Sequence, residues 1–228
     1  MGAVWIAGAG TDIGKTYVAA ALLRALAGEG VAVDALKPVA SGLDERNLAP
    51  SDPGVLLAAL GRPIDAAGVA LLAPFRFAAP QSPPLAARME GRRLDFAEGL
   101  ELCRARAEAA RDALLLIETA GGVMSPLGDA HTMRGRMAAL PAPVVLVGGT
   151  YLGAISHTLS ALAVLRARGL PVAALAVSES PGDAPPFGET VDAVRAFAGG
   201  LPVVGFRRDG DARAAAADLA ARARIVLT

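Results

Sequence analysis

Cysteine is almost absent: the 228 residues contain only Cys103, which excludes an internal disulfide and fits a reducing compartment such as the cytoplasm. It lies within ELCRARAEAARD, where no thiolate-stabilising motif surrounds it, so it reads as a small residue on a helix face. Aromatics are also scarce. They make up 4% of a chain that is 54% hydrophobic, so the core must be Ala, Val and Leu. That suits a parallel sheet covered by helices better than an aromatic-rich β-sandwich. An excess of one charge is missing too. The 22 basic and 22 acidic residues cancel, leaving no electrostatic footprint for nucleic acid or anionic lipid. No apolar run reaches the roughly 20 residues of a membrane span. The N-terminus enters AVWIA directly, without the basic and long apolar regions of a signal peptide.

Short apolar runs alternate with helical patterns. Ala3–Ala7, Val31–Leu36, Ala113–Glu118, Pro143–Val147, Pro171–Val177 and Pro202–Phe206 read as buried strands. Helices are expected at about 15–28, after Ser51 to Gly61, from Asp95 to about Arg111, up to Arg168, near 189–198, and in the Ala-rich C-terminal stretch. Ala73–Pro84, which carries four of the 16 prolines, is expected to be ordered loop. Strand–helix alternation implies right-handed βαβ units, a mostly parallel sheet with helices on both faces, and one α/β domain over 1–228.

Two motifs compete for GAGTDIGKT, residues 8 to 16. A dinucleotide fingerprint G-x-G-x-x-G fits Gly8 and Gly10, but its third position is Ile13. A phosphate loop fits Gly14-Lys15-Thr16, directly after a strand and opening a helix, although Gly8 stands one residue too far upstream. Physics favours the second. Helix-start N–H groups carry partial positive charge toward phosphate oxygens, Lys15 adds a full charge, and the Thr16 hydroxyl can ligate Mg²⁺. The additional residue marks a deviant subclass of P-loop nucleotide triphosphatase fold. Mg²⁺ also wants carboxylate oxygen, and Glu118 ends the strand ALLLIE at the sheet's carboxyl edge, before Thr119-Ala120-Gly121-Gly122. A second lysine, Lys37, follows strand Val31–Leu36 and is stiffened by Pro38. Two lysines on one site imply more negative charge than a nucleotide with Mg²⁺ alone, such as a second anion being phosphorylated.

These segments together resemble the dethiobiotin synthetase family. The late-spaced loop, Lys37-Pro38-Val39-Ala40-Ser41-Gly42, Ser51-Asp52, Glu118-Thr119-Ala120-Gly121-Gly122 and Leu152-Gly153-Ala154-Ile155-Ser156-His157 occur in the family's order from residue 3 to about 175. The resemblance implies a homodimeric enzyme that uses ATP, Mg²⁺ and CO₂ to close a ureido ring on 7,8-diaminononanoate. It implies catalytic roles for Lys37, Lys15 and Thr11. The nucleotide would be held by Asp12, Ile13, Gly14, Lys15, Thr16 and Tyr17, by Asp52, by Glu118, Thr119, Ala120 and Gly121, and by Ser178 and Glu179. Mg²⁺ would take Thr16, Asp52 and Glu118. The substrate would meet Ser41 and the helix start Gly153-Ala154-Ile155, the latter supplied by the partner subunit.

The chain departs from the family pattern at three places. Thr119 stands where glycine is usual. Ser178-Glu179 replaces an adenine-reading Asn-Asp, and serine lacks the paired donor and acceptor of an amide. The segment around Phe206-Arg207-Arg208 matches poorly, so weak discrimination among nucleotide bases, or a preference for a pyrimidine, is expected. His131, without a His or Cys partner at metal-ligand spacing, and Arg88–Arg93 read as surface. Ser125 and Asp129 have no neighbouring base to complete a triad. A rival reading, an ATPase switch of the partitioning type, would place a further lysine inside the loop, where this chain has Gly10. A plain nucleotide holder would leave Lys37 without a task.

Overall fold

The computed structural model describes residues 2–182 and 185–225; the remaining residues of the expected unit 1–228 lie outside them. In chain order the elements are β1 (Ala3–Gly8), α1 (Lys15–Gly28), β2 (Val33–Leu36), β3 (Val39–Ser41), α2 (Asp52–Ala59), α3 (Ala66–Leu72), β4 (Phe75–Phe77) and α4 (Pro83–Met89). There follow α5 (Phe96–Ala109), β5 (Leu114–Glu118), α6 (Met133–Ala139), β6 (Val144–Gly148), α7 (Ala154–Ala167), β7 (Val172–Ser178), α8 (Phe187–Phe197), β8 (Val203–Phe206) and α9 (Ala212–Ala223).

Alternate residues of the central strands feed opposite cores. Val4, Ile6, Leu114, Leu116, Val145, Val147, Ala174 and Ala176 face one side, with α1, α2 and α9. Trp5, Ala7, Leu115, Ile117, Val144, Leu146, Leu175 and Val177 face the other, where α5, α7 and α8 supply Cys103, Leu162 and Val194. Burial on both faces requires a central parallel sheet. The order is β2-β5-β1-β6-β7-β8, with every pairing parallel. The α1 side mixes small and branched residues: Ala19, Ala20, Ala21 and Ala25 share a core with Leu22 and Leu26 of the same helix and with Ile6, Leu116, Val145, Ala174 and Ala176 of the strands. Cys103 is fully buried, and burial pushes its thiol up to about 11, as a helix-face packing residue requires.

The expected loop over Ala73–Pro84 proves to contain β4, paired in parallel with β3 in a separate two-stranded sheet. Phe77 draws it in, packing with Val39, Ala86, Leu94 and Leu127 in a satellite core. The helices α3, α4 and α6 were not legible, because seven residues hold too few turns for a 3.6-residue pattern. Arg92 lies 4.7 Å from the Phe77 ring centroid and donates to the Arg76 carbonyl at 2.7 Å, so part of the Arg88–Arg93 stretch clasps that ribbon. His131 is exposed, as expected, and stacks on Phe96 at 4.1 Å.

Candidate active site

β1 delivers the chain into the glycine loop, and α1 begins at Lys15. Asp12 takes φ +55° and Gly14 φ +92°, so two left-handed residues turn the longer loop back onto the helix. Aspartate is one of the few side chains that tolerate this region. Gly8 explains its own position: a Cβ there would sit 2.7 Å from Lys15 Cδ and 2.9 Å from the Gly10 carbonyl oxygen. The bare backbone lets the lysine stem fold over the strand end, and Lys15 Nζ donates to the Gly10 carbonyl at 2.8 Å.

At Gly14 a Cβ would meet Ser178 Oγ at 2.2 Å, in addition to the positive φ. Gly14→Ala is therefore expected to cost about 1–3 kcal/mol in backbone strain, lowering Tm by roughly 5 °C. It should also abolish ATP binding, because the helix-start N–H groups are pushed out of line. Calorimetry showing wild-type ATP affinity for this variant would refute the loop's assigned role.

Two strand ends and two helix starts converge beside the loop. Thr16 Oγ1 lies 2.8 Å from Asp52 Oδ1 and 2.8 Å from Glu118 Oε1. Lys37 Nζ donates to Glu118 Oε1 at 2.5 Å and pairs with Asp52 Oδ2 at 2.6 Å. Asp52 is placed by the start of α2, where Ser51 accepts a bond from the Gly54 N–H at 3.2 Å, the cap anticipated from sequence. The glycines after Glu118 serve a close approach. Val123 N–H donates to the Gly8 carbonyl at 2.9 Å, and a Cβ on Gly121 (φ +64°) would fall 2.2 Å from Ser125 Oγ.

A cavity of about 310 Å³ opens on this cluster, lined by Thr11, Asp12, Ile13, Gly14, Lys15, Thr16, Tyr17, Lys37, Ser41, Asp52, Glu118, Ala120 and Gly121. Both lysines are buried, but their charges fare differently. Burial, then the neighbouring Lys37 charge, lowers Lys15 to about 8. Burial also opposes the charge of Lys37, but the carboxylates of Glu118 and Asp52 outweigh it and raise it to about 12. Asp52 is held below the usual carboxylate range: burial works the other way, and the Lys37 ammonium prevails.

The residues present fit Mg²⁺. Glu118 Oε2 is buried without a hydrogen-bond partner, and the single Thr16 proton cannot serve both neighbouring carboxylates. Hard oxygens on a polar wall are the donors such an ion takes. Among the described residues there is no cluster of three or more His, Cys, Asp or Glu, so a bound Mg²⁺ would take its remaining ligands from water and nucleotide phosphate oxygens, the usual arrangement for this ion.

An AAA domain family model matches residues 3–206. The ATP-dependent dethiobiotin synthetase BioD of Caulobacter sp. (strain K31) is 50% identical over 203 residues, covering 89% of this chain and 86% of that one. The synthetase of Phenylobacterium zucineum is 46% identical, with 99% and 98% covered. The chain belongs to the dethiobiotin synthetase family. Among solved structures, the cell division ATPase MinD of Pyrococcus furiosus matches with a TM-score of 0.53 at 16% identity, over 98% of this chain and 99% of that one. MinD of Aquifex aeolicus matches at 0.54 and 13%, over 100% and 97%. At these identities the likeness is one of fold, the P-loop α/β architecture.

Six synthetase-family positions lie away from this cavity wall or reach it indirectly. Thr119 is buried, with its N–H donating to the Ile6 carbonyl and its hydroxyl unpartnered, so its side chain sits behind the wall. Ser178 is buried under Gly14 and presents no edge to a ligand. Glu179 works through a neighbour: its Oε2 accepts the Arg208 N–H and its carbonyl accepts Arg208 Nε, both at 2.9 Å. Gly153, Ala154 and Ile155 line a different cavity of about 840 Å³ on the same protomer. Ser156 and His157 are exposed, and His157 Nδ1 lies 2.8 Å from the Tyr151 hydroxyl. Val39 and Arg208 complete the wall of the first cavity and were not singled out as site residues from sequence. From sequence Arg208 was named only as part of the segment Phe206-Arg207-Arg208, which stands where the family covers the base and matches it poorly.

Proposed function

We propose that this protein is an ATP-dependent ligase closing the ureido ring of dethiobiotin from 7,8-diaminononanoate and CO₂, in biotin biosynthesis. The observation that carries the reading is the pair of ammonium groups, Lys15 and Lys37, on one small cavity with Thr16, Asp52 and Glu118. Family membership supports the substrate class.

The reaction follows from the charges. A neutral substrate amine adds to CO₂, losing a proton and leaving a carbamate anion. A carbamate oxygen attacks the γ-phosphorus and expels ADP, giving a carbamic-phosphoric anhydride. The second amine then attacks the carbamoyl carbon and expels phosphate, closing the ring. Carbamate and γ-phosphate repel each other by on the order of 4 kcal/mol at about 4 Å and an effective dielectric near 20. Lys37 holds the carbamate and Lys15 the migrating phosphoryl group, offsetting that repulsion where it develops. Thr11 donates to the same oxygens, and Ser41 orients the diamine. Thr16, Asp52 and Glu118 would hold Mg²⁺, which would screen the phosphate charge. A homodimer brings Gly153–Ile155 of one protomer to the site of the other, where the start of α7, with its Ile155 N–H, receives the substrate carboxylate. The chain acts as one unit over 1–228, in the cytoplasm; no helix among the described residues is long and apolar enough to cross a membrane.

Purified protein with diaminononanoate, bicarbonate, Mg²⁺ and ATP is expected to release phosphate only when the diamine is present. A basal ATPase indifferent to the diamine would point to a nucleotide switch and sink the proposal.

A further inference from the structure

The sheet order separates the two ends of the cavity. The loop after β1 lies between β2 and β5 on one side, which carry Lys37 and Glu118, and β7 and β8 on the other. A triphosphate on the loop with its terminal phosphate at Lys37 therefore sends its nucleoside toward the ends of β7 and β8. What stands there is Arg208, in the loop between β8 and α9, with its guanidinium carbon 4.7 Å from the Tyr17 ring centroid. Its Nη2 lies 3.4 Å from where a Gly14 Cβ would be, and it lines the same cavity as both lysines.

Arg208 is fastened in a way an idle surface arginine is not. Glu179 accepts its backbone N–H and its Nε, the Tyr17 hydroxyl donates to the Arg207 carbonyl at 2.8 Å, and Glu179 N–H donates to the Phe206 carbonyl. The Glu179 carboxylate takes the main-chain N–H and forms no ion pair with the guanidinium. Among the described residues, neither Nη of Arg208 has a hydrogen-bond partner, and its charge stays uncompensated. Lys37, by contrast, is neutralised by two carboxylates. A planar fork with a free edge beside a helix start is suited to phosphate oxygens.

We infer that Arg208 is a nucleotide-binding residue. Its fork grips the phosphate nearest the nucleoside, so affinity comes from charge at that point instead of from reading the base edge, and ATP, CTP and GTP are accepted alike. Ser178 agrees with this: buried under Gly14, it leaves the base without an amide partner at that position. The inference rests on the cavity being the nucleotide site of the ligase.

Calorimetric titration of the full chain with the Mg²⁺ complexes of ATP, CTP, GTP and ADP, without diamine, tests it. Wild-type protein should bind the three triphosphates with similar affinity. Arg208→Ala should weaken all four ligands by roughly 10- to 100-fold, and Arg208→Lys, which keeps the charge but loses the fork, should recover part of it. In turnover the loss should appear in KM for the nucleotide far more than in kcat. Unchanged affinity, a loss confined to one base, a strict wild-type preference for ATP, or a loss for ATP without one for ADP would each overturn the assignment. Because binding is measured without the diamine, absence of diamine-dependent phosphate release would sink the ligase reading alone.

Discussion

Lys37→Ala is expected to lower kcat by roughly 10²- to 10³-fold, the usual cost of removing a preorganised charge from a developing anion. It should also destabilise the protein in chelator. The substitution leaves Glu118, almost fully buried, and the half-exposed Asp52 without their shared cation. Stranding a buried charge in this way costs about 3 kcal/mol or more, so Tm should fall by on the order of 10 °C. Added Mg²⁺ should restore most of the lost Tm, because the same oxygens accept it, while kcat stays low. Thermal melts with EDTA and with Mg²⁺, beside steady-state kinetics, separate the two effects. If activity falls only in proportion to the folded fraction, Lys37 is a structural counter-ion and has no part in the chemistry.

Lys15→Ala should behave in the opposite sense for stability while losing at least as much activity, about 10³-fold in kcat/KM. Its ammonium is disfavoured by burial and by Lys37, which is why it falls to about 8. Removing it deletes a cost below that pH, so Tm at neutral pH should hold or rise slightly. Above pH about 8 the folded protein has released a proton that the unfolded chain keeps until near 10.5, so the wild type gains stability across that window and the variant does not. Nucleotide binding shows the mirror image. A triphosphate favours the charged amine, so binding above pH about 8 must take up a proton, and wild-type affinity for ATP should weaken by up to about tenfold per pH unit. An affinity that is flat from pH 7 to 10 would show that Lys15 does not face the phosphates.

What could be read in the sequence was whatever is carried by contiguous residues. GAGTDIGKT, KPVASG and the glycines after Glu118 each sit at a strand end, so placing the strands placed Lys15, Lys37 and Glu118 on one wall, and the Ser51 cap added Asp52. The alternating core of β1, β5, β6 and β7 was equally legible as consecutive apolar runs. Contacts made across the fold were not. Arg208 reaches the cavity because Glu179, 29 positions earlier, ties down its loop, and no local pattern encodes that. Ser178 could be named but not aimed: its burial beneath Gly14 depends on the register of β7 against β6. Thr119 illustrates the same limit, since a one-residue step along a strand end reverses the direction of the side chain. The ribbon of β3 and β4 was missed because three residues give no periodicity to detect.

The alanines between α1 and the sheet bear on how accurately the loop is aimed. Close-packed with one another and with the branched side chains of β1 and β5, they leave the helix little slack to pivot. The direction in which its first N–H groups point is thus settled some way from the ligand, by the thickness of a hydrocarbon layer. Enlarging Ala176 by a few carbon atoms would tilt the rod at its base and swing the phosphate cradle, although every polar side chain of the pocket remained in place.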